Sequence, residues 1–232
     1  MPVFALIPAA GSGSRFAGEQ PKQYARLAGK AMLWHSVRAV CVPPVESVFV
    51  VLARDDRSFA AQDWSAFDGK VQPLYCGGEA RRDSVYNGLV SVMNTVDADD
   101  WILVHDAARP CLPRRDLDSL LRECQPDAVG GLLALPVAET VKKAAKDEAG
   151  VQRIAGTEDR AQLWLAQTPQ MFRAGLLAQA LRRATGPVTD EASAIEAHGL
   201  APKLVRGALE NFKLTFPADF ALAERLLRSR ST

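Results

Sequence analysis

The chain has 232 residues, 48% of them hydrophobic, enough to bury the core of one large domain or two small ones. Twenty-eight basic residues balance 27 acidic ones, a net charge of +1, which excludes a global pull toward nucleic acid or a membrane surface and makes any anion site local. Cys41, Cys76, Cys111 and Cys124 are widely spaced in or beside apolar runs, with no CxxC, and read as reduced core thiols of an intracellular, cytoplasmic protein. With the first strand two residues into the chain, no signal peptide is expected, and no apolar run approaches a membrane span.

Val3–Ile7 is a short apolar run that reads as a buried strand. It opens into Pro8-Ala9-Ala10-Gly11-Ser12-Gly13-Ser14-Arg15, followed by Pro21-Lys22-Gln23-Tyr24. A loop of small residues brings backbone N–H groups close to a ligand, and two cations, Arg15 and Lys22, follow it. That combination suits a nucleoside triphosphate. The Gly11-Ser12-Gly13 pair is weak by itself. A dinucleotide fingerprint fails because Phe16 stands where its third glycine belongs, and a Walker A loop fails for want of Gly-Lys-Ser/Thr.

Further along, Leu33–Val42 reads as a helix, Ser47–Ala53 as a strand, Phe59–Phe67 as a short helix and Val71–Cys76 as a third strand. Asp83–Val96 has a helical apolar period, Trp101–His105 is a fourth strand, Leu117–Cys124 a helix and Val129–Leu135 a fifth strand. Continuous apolar strands between amphipathic helices predict a doubly wound α/β layer, its mostly parallel sheet covered on both faces. Ligands then sit at the strand carboxyl ends, where Pro8–Arg15, Gly77–Ser84 and Asp106–Pro110 are expected to converge on one crevice.

Pro136–Arg160 breaks the pattern. Thr140–Lys143 and Val151–Ile154 alternate as two short strands around a charged turn, Lys146–Gly150. A lone hairpin is marginal in water, so this stretch is either a surface excursion or an arm that packs on a second subunit. Helices return at Ala174–Ala184, Glu191–His198 and Ala218–Arg228, with short strands at Lys203–Val205 and around Phe212–Leu214.

Several residues have chemistry to offer. Arg15 and Lys22 are either solvated loop charges or cations that meet charge building on a phosphoryl group. Asp106, at a strand end, suits Mg²⁺ or a ribose, and Arg109 can grip a phosphate with its planar fork; the alternative is a plain Asp–Arg turn pair. His105 reads as a satisfied structural histidine, since an attacking phosphate oxygen needs no base. Gly77-Gly78-Glu79 and Ser84 allow close approach of a planar base, or simply enter a helix. Thr189 opens a helix and can cap it, bind a ligand, or both; Lys213 lies in the expected last strand.

PAAGSGSR, PKQY, GGEARRDSV, VHDAARP, PVAET, LWLAQTPQ, TDEAS and NFKLT occur in this order. Together they strongly resemble the 2-C-methyl-D-erythritol 4-phosphate cytidylyltransferases of the bacterial non-mevalonate isoprenoid pathway, over nearly the whole chain. The resemblance implies a Rossmann-like nucleotidyltransferase fold of the nucleotide-diphospho-sugar transferase type, as one domain over residues 1–232 with no second catalytic domain. It implies a protruding β-arm at residues 136–160 that builds a homodimer, and transfer of a cytidylyl group from CTP with Mg²⁺ and release of pyrophosphate. Residue by residue, it implies catalytic roles for Arg15, Lys22 and Lys213, and nucleotide contacts at Ala9, Ala10, Gly11, Gly77, Gly78, Glu79, Ser84, Asp106 and Ala107. Asp106 is the acid near metal and substrate, with substrate contacts at Arg109 and Thr189, and Thr140, Arg160 and Thr168 are given by the arm to the neighbouring subunit. Two departures stand out: Glu79 and Glu139 occupy positions where Asp is expected. Rival readings are a cytidylyltransferase for another polyol phosphate such as ribitol 5-phosphate, a sugar-1-phosphate nucleotidyltransferase, and a CTP-binding regulator without turnover.

Overall fold

The computed structural model describes residues 1–11 and 21–230. Arg15 lies outside the described residues. In chain order the elements are β1 (Val3–Pro8), β2 (Arg26–Leu27), β3 (Lys30–Ala31), α1 (Met32–Val40), β4 (Val45–Val51), β5 (Val71–Leu74) and α2 (Arg81–Val92). They continue with β6 (Trp101–Val104), α3 (Arg114–Cys124), β7 (Gly130–Pro136), β8 (Val141–Lys146), β9 (Gln152–Glu158) and β10 (Trp164–Arg173). The last are α4 (Ala174–Arg183), α5 (Glu191–Ala197), β11 (Lys203–Arg206) and α6 (Pro217–Ser229).

Seven strands form the central sheet in the order β11-β7-β10-β6-β1-β4-β5. Every neighbouring pair is parallel except the two that β10 makes, with β6 and β7. The strand alternation sorts side chains to two cores. Val3, Ala5 and Ile7 of β1 face the layer that holds Leu33 and Val37 of α1 and Leu117 and Leu120 of α3. Phe4 and Leu6 face the opposite layer, with Val85 and Leu89 of α2, Leu177 of α4 and Ile195 of α5. Such a sheet is nearly continuous in apolar residues because neither face meets water. Helix α2 sits especially close to it: a methyl group on Gly88 would fall 2.9 Å from Leu6 Cδ1. A third, smaller core joins Leu27, Met32, Cys111 and Leu214 to Ala223 of α6.

The chain leaves β1 for β4 and β5 on one side, then returns to place β6 on the other. That reversal opens a crevice at the carboxyl ends of β1 and its neighbours.

Four expectations need correction. No strand forms over Phe212–Leu214, so Lys213 is not a strand residue. Leu214 instead buries its side chain in the third core and donates its N–H to the Ala108 carbonyl at 2.8 Å. The helix expected over Phe59–Phe67 shrinks to a 3₁₀ turn at Ser65–Phe67, with Trp64 stacked on Phe59 at 4.5 Å. The long strand β10 was not anticipated, because Gln167, Thr168, Pro169 and Gln170 interrupt its apolar pattern. These polar side chains are buried at the centre of the sheet, and fixed hydrogen bonds make that tolerable. Of the four cysteines, all free, Cys111 and Cys124 are buried but Cys41 and Cys76 only half-buried.

Strands β8 and β9 pair only with each other, and nearly every residue on them is exposed. The hairpin is held by cross-strand polar contacts such as Lys142 Nζ to Thr157 Oγ1 at 2.7 Å. Exposed apolar side chains stand on it, Val151 and Ile154, and at the start of β10 after it, Leu163, Trp164 and Leu165.

Candidate active site

The crevice has a volume of about 650 Å³. Its walls come from Pro8–Gly11, from Lys22 and Gln23, from Gly78–Arg81 with Ser84, from Asp106–Ala108 and from Lys213–Thr215. The described part of the first expected loop, Pro8–Gly11, therefore converges with the other two, joined by a fourth segment around Lys213.

Each wall is tied down locally. The first loop continues the strand ladder, Ala9 N–H donating to the Val51 carbonyl at 2.7 Å. The 3₁₀ turn Lys22–Tyr24 is clamped twice: Gln23 Nε2 donates to the Ala9 carbonyl at 2.8 Å and the Tyr24 hydroxyl to Asp56 Oδ2 at 2.7 Å. Lys22 reaches across the crevice to donate to the Leu214 carbonyl. In the second loop Gly77 N–H donates to the Leu52 carbonyl at 2.8 Å, and a Cβ there would crowd the Ala10 side chain and sit 2.7 Å from that carbonyl oxygen. A side chain at residue 77 would thus drive the first two loops apart. Ser84 Oγ accepts from Gly78 N–H at 3.1 Å and donates to the Ala80 carbonyl at 3.2 Å. Asp83, in the first turn of α2, caps the helix by accepting from Ala80 N–H at 3.2 Å.

Asp106 is the hub. Its backbone N–H donates to Thr168 Oγ1 at 2.9 Å. Its Oδ1 accepts from Arg81 Nε at 3.0 Å, and its Oδ2 lies 2.9 Å from Lys213 Nζ and 3.6 Å from Arg109 Nε. Burial by itself would raise this carboxyl, but Arg81, Lys213 and Arg109 outweigh it and hold Asp106 well below the usual carboxylate range. Arg81 is in turn gripped by Glu191 through two parallel bonds, Nη1 to Oε1 at 2.6 Å and Nη2 to Oε2 at 3.0 Å. Burial would lower Arg81, yet Glu191 and Asp106 raise it above its ordinary value.

Behind Asp106 lies a fully buried polar layer. His105 Nε2 bonds the Arg109 carbonyl at 3.0 Å and Nδ1 meets the Thr168 hydroxyl at 3.2 Å, so both ring nitrogens are engaged. Burial holds this imidazole down at about 4, neutral at physiological pH. Arg109 donates to the Asn211 carbonyl at 2.6 Å and to the Ala166 carbonyl at 3.4 Å. Burial lowers it from its ordinary value, opposed by Asp106. Asn211 closes the layer by donating to the Thr168 carbonyl at 2.8 Å.

Ala9, Ala10, Gly11, Lys22, Gly78, Glu79, Ser84, Asp106, Ala107 and Lys213 all line the crevice. Gly77 supports it from behind. Arg109 is buried beneath Asp106, its fork turned to backbone carbonyls rather than to the opening. Thr140 and Arg160 border the exposed arm, where Arg160 donates to the Ala138 carbonyl. Thr168 requires a correction: it lies in β10, buried against His105 and Asp106, and not on the arm. Thr189 is off the crevice wall, its N–H donating to Ser193 Oγ at 3.1 Å next to the N-cap of α5, which is Asp190. Sequence reasoning passed over Arg81, Glu191, Gln170 and Asn211. All four lie inside or beside quoted motifs, but nothing in a linear pattern couples Arg81 to an acid 110 positions away.

Fold and crevice together define the class: an α/β protein of the nucleotide-binding type, with Lys22 and Lys213 lining a crevice at the strand carboxyl ends. The sequence model of the family described as "IspD: 2-C-methyl-D-erythritol 4-phosphate cytidylyltransferase" matches residues 3–229. A 2-C-methyl-D-erythritol 4-phosphate cytidylyltransferase of Dechloromonas aromatica is 52% identical over 98% of either chain. The crystal structure of a 4-diphosphocytidyl-2C-methyl-D-erythritol synthase superposes with a TM-score of 0.83 at 40% identity, covering 97% of this chain and 99% of that one. The Francisella tularensis 2-C-methyl-D-erythritol 4-phosphate cytidylyltransferase superposes at 0.80 with 33% identity, covering 97% and 100%. The chain belongs to the 2-C-methyl-D-erythritol 4-phosphate cytidylyltransferase family.

Proposed function

We propose that the crevice transfers a cytidylyl group from CTP to 2-C-methyl-D-erythritol 4-phosphate, giving the 4-diphosphocytidyl product and pyrophosphate. The observation that carries this reading is the meeting of Lys22 and Lys213 across a crevice floored by the small-residue loop and Asp106. Membership of the family supports it.

The chemistry follows from the charges. An anionic oxygen of the acceptor phosphate attacks the α-phosphorus of CTP in line, and pyrophosphate leaves. The attacking oxygen carries no proton, so no general base is needed. His105 is unsuited to that task in any case, being buried, neutral and bonded at both nitrogens. Lys22 and Lys213, with Arg15, stabilise negative charge crowding on phosphorus, a contribution that grows toward the transition state. The Gly77–Gly78 corner and Ser84 leave room for the flat cytosine, and Ala10 and Gly11, beyond the anchored Ala9, offer backbone to the phosphates. Thr189 and Arg109 complete the acceptor region in this proposal, Arg109 by holding the Asp106 loop.

A divalent cation fits this donor set. Among the described residues no group of three His, Cys, Asp or Glu side chains forms a protein cage. Mg²⁺ ordinarily takes one or two carboxylates and completes its shell with substrate phosphates and water, and Asp106 is an ionised carboxylate on the crevice wall. Asp106 would hold Mg²⁺, which when bound neutralises the triphosphate and eases departure of pyrophosphate.

The proposal includes a homodimer built by the 136–160 arm, with Thr140 and Arg160 presented to the neighbouring site. The exposed Val151, Ile154 and Trp164 support it, because a polar hairpin flanked by bare apolar side chains gains by packing on a partner. No helix among the described residues is long and apolar enough to cross a membrane. We place the enzyme in the cytoplasm, where four free thiols are at home.

The deciding experiment is pyrophosphate release from Mg²⁺–CTP with 2-C-methyl-D-erythritol 4-phosphate and, separately, with ribitol 5-phosphate. Release with the first alone is expected. Release with the second alone would reassign the acceptor, and silence with both from protein that binds CTP would leave a regulator.

A further inference from the structure

We propose that Glu191 is a positioning residue for the transfer reaction, holding Arg81 so that Asp106 keeps its place when Lys213 turns to the substrates. This rests on the cytidylyltransferase reading above.

The two oxygens of Asp106 have unlike partners. Oδ1 is bound by Arg81, whose side chain is 28% exposed and locked by its fork onto Glu191, which is 1% exposed. Oδ2 is bound by Lys213, whose side chain is 48% exposed on a flexible stem. A triphosphate entering the crevice competes for any cation that can reach it. Lys213 can swing to meet it. Arg81 cannot follow, because its two outer nitrogens are already held by Glu191. Asp106 therefore retains one fixed hydrogen bond and its charge throughout.

Glu191 is itself buried and its neighbours are hydrogen-bonded to the sheet. Gln170 of β10 donates to Asp190 Oδ2 at 2.8 Å and accepts from Ala192 N–H at 2.7 Å, clasping the residues on either side of Glu191. Asp190 caps the same helix by accepting from Ser193 N–H at 3.0 Å. The geometry runs unbroken from the sheet through Gln170, Glu191 and Arg81 to Asp106.

Folding alone does not call for a charge at this place. The bonds of Gln170 and Asp190 already fix the start of α5, and Ala192, Ala194 and Ile195 pack the rest of the helix into the core. A buried ion pair is often no more stabilising than a hydrophobic replacement of the same shape. What Glu191 supplies is control over where positive charge points. Without it, Arg81 is free to turn to the ground-state triphosphate, which binds CTP as well or better while loosening Asp106.

The test uses Glu191→Gln, which keeps shape and removes charge, and Glu191→Asp, which keeps charge and shortens the reach. Turnover at saturating substrates, CTP affinity by calorimetry and melting temperature are measured for each. For Glu191→Gln, kcat is expected to fall about tenfold or more with CTP affinity unchanged or tighter, and Glu191→Asp to recover part of that loss. Unchanged kcat per CTP-binding site, or kcat and affinity falling together as in general structural damage, overturns the proposal. Should Glu191→Gln fail to fold, Glu191→Asp carries the comparison, with reduced kcat at full CTP affinity expected. A readout without substrates adds Asp106→Asn and the double variant Glu191→Asp with Asp106→Asn. Two groups acting through one arginine must change melting temperature together by an amount that departs from the sum of the single losses, and additive losses refute the route through Arg81. If the wild type turns over neither acceptor, the proposed function falls while this cycle still decides whether Glu191 acts on Asp106.

Discussion

Replacing Thr168 by valine separates two views of this residue, a substrate contact on a neighbour or a hidden support for Asp106. Its hydroxyl accepts from Asp106 N–H at 2.9 Å and donates to His105 Nδ1 at 3.2 Å, and it is buried with both partners. Valine keeps the shape and removes both bonds. Each buried group left without a partner costs about 1–3 kcal/mol, so the pair amounts to roughly 3 kcal/mol, allowing for some relaxation. For a chain of this size about 1 kcal/mol moves the melting temperature by roughly 2–4 °C, which gives a loss of about 6–12 °C. Thr168→Ser keeps the hydroxyl and gives up one methyl group, worth about 1 kcal/mol. The assay is thermal unfolding of the ligand-free protein followed by circular dichroism, with the two variants side by side. A valine variant that melts within about 2 °C of the wild type, yet shows a raised KM for the acceptor, would refute the placement behind Asp106 and return Thr168 to the substrate.

Lys22→Ala is expected to lower kcat by about two to three orders of magnitude with little change in melting temperature, as loss of one positioned electrostatic donor does. Steady-state kinetics with a parallel melt checks this, and near-normal kcat would remove Lys22 from the mechanism. Gly88→Ala pits helix propensity, a gain of up to about 1 kcal/mol, against a methyl group 2.5 Å from Val51 Cγ2 and 2.9 Å from Leu6 Cδ1. Both neighbours are fixed in the sheet, so overpacking wins and a net loss of about 1–2 kcal/mol is expected in urea unfolding. His105 makes stability depend on pH. Burial lowers it from 6.5 to about 4. Between those values the unfolded chain takes up a proton that the folded protein refuses. Its contribution is complete above pH 6.5 and is lost on going down to about pH 4, a decline of roughly 3 kcal/mol. Urea midpoints of the metal-free protein from pH 7 to pH 4.5 measure this, and Thr168→Val with its retained imidazole serves as the comparison. A flat profile would mean that His105 is not held neutral by burial.

Local pattern alone determined much of this protein. Unbroken apolar runs such as Val3–Ile7 and Trp101–Val104 read as strands covered on both faces, and the structure forms them there. These features are visible in sequence because burial and steric access act on neighbouring residues. The eight motifs in order carry a resemblance to the family, which the family model and the relatives then show. Tertiary structure decided what depends on partners far along the chain. Strand β10 carries Gln167, Thr168 and Gln170 into the sheet only because Ala208, Asp106 and Asp190 stand ready to bond them. Lys213 became a crevice residue when Leu214 bonded Ala108 and sank into the third core instead of joining the sheet. Above all, Arg81 and Glu191 read as ordinary helix-entry charges until the fold brings two helix starts together over Asp106. A buried charge is tolerated only when paired, and the chain's linear order does not say which residue will be there to pair with it.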